Sequence, residues 1–85
     1  MTEAEIEAVA TTLGLILDGM AKRPDEPNSR LRSGVGAIGD VLAQAGGLAL
    51  MSHVLDLVLN QRPEAESFRE GVVDAAWSGL GGWAS

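Results

Sequence analysis

Ser52, His53 and Asp56 bring the residue types of a hydrolytic triad into one short stretch. In such a triad histidine takes the proton of the serine hydroxyl while the carboxylate orients the imidazole ring. The surrounding residues, LALMSHVLDLVLN, have the spacing of a helix. Adjacent helical side chains diverge by about 100°, so Ser52 and His53 do not share the hydrogen bond that would activate the nucleophile. We read the three as the polar face of a helix and assign no catalytic residue; the expectation is a protein that is not an enzyme. His53 would sense pH only if a carboxylate met it across an interface.

A second candidate is GVGAIG, in which Gly34, Gly36 and Gly39 meet the G-x-G-x-x-G spacing of a dinucleotide-binding loop. That loop cradles phosphate because it joins a strand to a helix N-terminus, and no strand precedes it here. Small residues for close helix packing are the expected role. With no cysteine and one histidine in the chain, a closed zinc site has no suitable ligand set. No metal and no cofactor are expected.

Lys22, Arg23, Arg30, Arg32 and Arg62 would gather at one end of an up-down-up-down bundle, with Glu3, Glu5 and Glu7 at the other. An anion or an acidic partner could use that basic end, but helix capping and solubility account for these residues without a ligand. The formal net charge of −6 speaks against direct contact with nucleic acid, whose binders carry the opposite balance.

Four helices are needed to position these groups. Thr2 as N-cap and Glu5 in capping-box position open the first, expected over residues 2 to 22. Its apolar arc is Ile6, Val9, Leu13, Ile16, Leu17 and Met20, with Leu15 facing the other way. RPDEPNS then reverses the chain. A second helix, 30 to 45, carries Val35, Ile38, Val41, Leu42 and Ala45; a third, 48 to 61, carries Leu50, Met51, Val54, Leu55, Leu57 and Val58.

Projected on one continuous helix, these two arcs point roughly 180° apart. A break at Gly46-Gly47 lets both face one core, since glycine tolerates the left-handed conformation that ends a helix. The rival is a continuous helix threading an oligomer. The fourth helix, 63 to 79, starts at Pro63 and buries Phe68, Val72, Val73, Ala76, Trp77 and Leu80. Residues 1 to 80 therefore form one helical domain, with 81 to 85 as a flexible tail carrying Trp83.

An 85-residue chain lies near the size below which a single core needs help, and 46% of this one is hydrophobic with few aromatics. Self-association is the expected help, with Leu15, Leu50, Leu57 and Trp83 as the interaction residues. The apolar run between Asp40 and Asp56 is fifteen residues, short of the roughly 20 a bilayer needs, so no membrane contact is expected. The acidic start MTEAEIEAVA is unlike a secretory signal, and a cytoplasmic location is expected.

These readings converge on a non-enzymatic interaction module: a small adaptor, assembly factor or accessory subunit that self-associates or docks on a larger, unknown protein partner. The alternative is an acidic inhibitor, an antitoxin or phage-encoded blocker that occupies the basic site of a nucleic-acid-binding protein.

Overall fold

The computed structural model describes residues 1 to 23 and 29 to 84, and the described residues form helices and turns with no strand. The elements are α1 (Glu3–Lys22), α2 (Ser29–Gln61), a single 3-10 turn (Pro63–Ala65) and α3 (Glu66–Trp77). Three helices thus stand where four were expected. The reversal expected across Pro24 to Asn28 lies outside the described residues.

α1 begins as its sequence dictates. The Glu5 N–H donates to Thr2 Oγ1 at 3.2 Å, and the Thr2 N–H donates to Glu5 Oε1 at 2.9 Å. Two backbone donors that helix geometry leaves unpaired are satisfied in this way. The Thr2 N–H, followed by the Thr2 hydroxyl, holds the Glu5 carboxyl below its ordinary range. From this start the helix buries Ala10, Leu13, Leu17 and Met20, while Leu15 stays 67% exposed on the opposite face.

The expected break between the second and third helices is present as a single residue. Only Gly47 departs from helical geometry inside α2, at φ 67° and ψ −156°, a region open to glycine and strained for other residues. Residues 29 to 61 are thus two helical limbs that meet at Gly47 with no loop between them. A straight helix of 33 residues would be about 50 Å long. The whole molecule measures 34 × 24 × 19 Å, so α2 bends sharply.

That bend resolves the opposed apolar arcs. Val35 and Leu42 before Gly47, and Met51, Val54, Leu55 and Val58 after it, all join one core with Leu13, Leu17, Val73 and Trp77. The rod threading an oligomer is not what forms. By length and composition α2 also passes as a membrane-crossing helix, with mean hydropathy 1.5 over its most apolar window. Here it packs on both α1 and α3.

α3 is shorter than the 63 to 79 expected, because Pro63–Ala65 winds as a 3-10 turn and the helix stops at Trp77. Gly79, Gly81 and Gly82 all take positive φ, and this turns the chain back on itself. The Leu80 N–H donates to Trp77 O at 2.9 Å and the Trp83 N–H to Leu80 O at 2.7 Å. Trp83 thereby meets Trp77 edge to face, with ring centroids 5.1 Å apart.

Candidate interaction surface

The frame behind the surface is held by one charged side chain. Arg69 is 2% exposed, the only charged residue buried among those described. Its Nη1 donates to Val58 O at 2.7 Å and Gln61 Oε1 at 3.1 Å; its Nη2 donates to Asp18 Oδ1 at 2.9 Å and Gly14 O at 3.4 Å. Val58 O is among the last four carbonyls of α2, which have no partner within their own helix. Arg69 therefore caps α2 with a positive charge where the helix dipole is negative, and the planar guanidinium reaches α1 with its other edge.

Two further contacts fix α3 against the first limb of α2. Trp77, fully buried, donates from Nε1 to Val35 O at 2.8 Å. The Trp77 ring lies over Gly39, where any Cβ would overlap it. Gly34 faces Ile16 and Gly36 faces the Ala76 carbonyl. The three glycines of the GVGAIG segment are thus packing positions, as their lack of a preceding strand implied.

Away from α3 the surface is different. Val9, Ala37, Ile38 and Val41 line a shallow apolar concavity of about 200 Å³ between α1 and the first limb of α2. A second concavity adjoins it, lined by Ala8, Val9, Thr12 and Ile38. Val41 is 54% exposed although it was expected in the buried arc of its helix. Gly34, against α1, and Gly36 and Gly39, against α3, bound the covered arc of this limb, and Val41 lies outside it. Leu15 lies three residues beyond Thr12 and seven beyond Ala8, on the same face of α1, but lines neither concavity.

The other expected interaction residues lie elsewhere. Leu50 and Leu57 are half-buried and pack against the core from the second limb of α2. Trp83 is half-buried on Trp77, and its Nε1 donates to Asp74 Oδ1 at 2.7 Å. The structure brings none of these three to the concavity that Val41 lines. Phe68, expected on the buried face of its helix, is 41% exposed, and Arg69 occupies that inward position instead.

Ser52, His53 and Asp56 are all exposed on α2. At the basic end, Arg62 Nε lies 3.3 Å from Asp18 and its Nη1 lies 3.9 Å from Glu64. Both contacts are solvent-accessible and contribute little to stability.

Sequence reasoning missed Arg69, Asp18 and Val41. A signal for Arg69 existed: Arg69, Val73 and Trp77 stand four apart, so one face of α3 carries an arginine in line with two core residues. A long basic side chain on such a stripe either snorkels outward or finds acceptors inside. No family model, curated protein or solved structure matches this chain.

Proposed function

We propose that this chain is a non-enzymatic interaction module that docks through the apolar groove between α1 and the first limb of α2. The proposal takes the two limbs of α2 as separate rods, which with α1 and α3 make an up-down-up-down bundle of four. The non-helical Gly47 and the 34 Å maximum extent support that description.

One observation carries the reading. Val9, Ala37, Ile38 and Val41, all apolar, line a concavity between α1 and the first limb of α2, and Val41 stays 54% exposed there. Leu15, 67% exposed, stands on the outer face of the neighbouring α1. An uncovered apolar concavity of this kind supports a contact site in a small protein. Adaptor, assembly factor and accessory subunit are the roles such a surface serves.

The acidic-inhibitor reading also has an observation in its favour. Glu66, Glu70 and Asp74 stand four residues apart along α3, lining a polar depression with Ser67 and Gly71. A basic partner would bind there and would be released by salt.

Affinity capture of the wild-type chain and of Val41→Glu from source cells, at low and at high salt, tests the proposal. A partner held by the wild type at both salt concentrations and lost from Val41→Glu is the expected result. A partner held equally by both chains, or released from the wild type by salt alone, overturns it.

A further inference from the structure

Residues 79 to 83 fill the crook of the α2 bend. A Cβ built on Gly81 would stand 2.8 Å from Ala43 Cβ and 3.1 Å from Met51 Sδ. Ala43 and Met51 lie four residues before and four after Gly47, one on each limb. The Gly81 backbone is thus wedged between the limbs, and Trp83 closes the same segment onto α3 through the Trp77 ring and Asp74. Met51 and Trp77, which the segment touches, have no exposed surface. Gly79, Gly81 and Gly82 are themselves exposed, so this cover is one chain thick.

Little ties the cover down. The bonds from Gly79 N–H to Trp83 O at 3.0 Å and from Trp83 N–H to Leu80 O at 2.7 Å close within it and survive if it moves. Those from Leu80 N–H to Trp77 O and from Trp83 Nε1 to Asp74 Oδ1 run to α3, and among the described residues none reaches α1 or α2. Lifting the segment breaks this second pair at groups that water then reaches, and the net cost of such an exchange is small. Three glycines at positive φ regain a conformational freedom that other residues lack. Opposing this are the apolar contacts of Leu80 and Trp83, both only half-buried. The pivot is Ser78, where α3 ends at φ −54° and ψ 124°.

We infer that residues 79 to 83 are a strap that lifts from the crook of α2 as one unit while the three helices stay folded, uncovering Met51 and Trp77. Such an opening is a local one, with a free energy below that of unfolding the whole chain. The groove between α1 and the first limb plays no part in it, so the strap stands or falls apart from the interaction-module reading.

Peroxide oxidation of the wild-type chain, read at Met51 by peptide mass and repeated at low urea concentrations, tests the inference. The Met51 rate is expected to change little over those concentrations, because lifting a short segment exposes little surface. Amide exchange at the core residues Val54 and Val73 is expected to accelerate steeply over the same range, as whole-chain opening does. Gly81→Leu cannot seat beside Ala43 and Met51, and Trp83→Ala loses the contact with Trp77. With helix content retained by circular dichroism, each is expected to bring the Met51 rate within about tenfold of its rate in the denatured chain. Met20, buried on α1, is expected to stay slower than Met51 by about tenfold or more.

A wild-type Met51 rate that climbs with urea as steeply as the Val54 and Val73 amides overturns the inference, because the segment then opens only with the core. So does a folded variant in which Met51 stays as protected as Met20. The wild-type urea series decides the matter even where neither variant folds.

Discussion

Where α3 meets the rest of the molecule, large groups have counterparts. The Trp77 indole sits on Gly39 and donates to Val35 O, and Arg69 divides its donors among Val58, Gln61, Gly14 and Asp18. Among the described residues no buried side-chain nitrogen or oxygen lacks a partner. By contrast, Val41 and Leu15 are more than half exposed, and the concavity beside Val41, between α1 and the first limb of α2, is unfilled. Both regions draw on the same helix, α2. The difference teaches that apolar content alone does not mark the core: the side with an aromatic and a buried guanidinium has closed on itself, and the side with only small aliphatics has been left open. Substitutions should divide accordingly, with stability carried on the α3 side and association on the groove side.

Trp77→Ala should have the largest effect. Removing a fully buried indole costs about 3–5 kcal/mol, a large share of the roughly 4–13 kcal/mol that holds a domain of this size together. Urea denaturation should show a chain partly unfolded without denaturant; a loss under 1 kcal/mol would break the comparison. Arg69→Ala comes next, at about 2–3 kcal/mol, because Val58 O loses its buried donor while Asp18, partly exposed, keeps its solvent. Arg69→Met should recover part of that loss by filling the same space, which sharpens the division between packing and charge.

Gly47→Ala probes the bend that both regions share. A Cβ there meets nothing within 4 Å, so the penalty is conformational alone, about 1–2 kcal/mol in denaturant midpoint experiments. Thr2→Ala should cost less and should carry a pH signature. Hydrogen bonds from Thr2 lower the folded-state pKa of Glu5, first from the backbone N–H, which Thr2→Ala keeps, and then from the hydroxyl, which it removes. The stabilisation is thus present above the ordinary glutamate range and is lost as pH falls through the lowered value. The melting temperatures of wild type and Thr2→Ala should draw closer as acidity rises through that window. Val41→Glu, on the open side, should change stability by no more than about 0.5 kcal/mol.

Much of this architecture was legible in the residues. The capping box at Thr2 and Glu5 is a local motif, and α1 starts where it says. The turn of α2 at Gly47 followed from two apolar arcs out of phase, which no straight helix can bury together. The exposed direction of Leu15 was equally a matter of helical period. Three things escaped for one reason, that they depend on which neighbour happens to cover a face. Val41 belongs to an apolar arc wider than its neighbours fill. Arg69 lies in line with Val73 and Trp77, but only the carbonyls brought by α2 and α1 make burial favourable. Trp83 follows glycines that carry no periodic signal, and its place on Trp77 depends on Gly79, Gly81 and Gly82 all taking positive φ. The groove was invisible for the same reason, since it is made by two helices and lined by residues that each look like ordinary core.

The bend at Gly47 is the claim on which both regions depend, because it puts α3 across both limbs of α2 and leaves the groove on the other side. A distance between spin labels at Ser33→Cys and Asn60→Cys, with doubly labelled chains diluted in unlabelled protein so that only distances within one chain are read, tests it directly. A straight helix separates those positions by about 40 Å. The account predicts a single narrow distribution below about 30 Å, because Arg69 holds Val58 O and Trp77 holds Val35 O from positions about 12 Å apart on α3; a peak near 40 Å would contradict it.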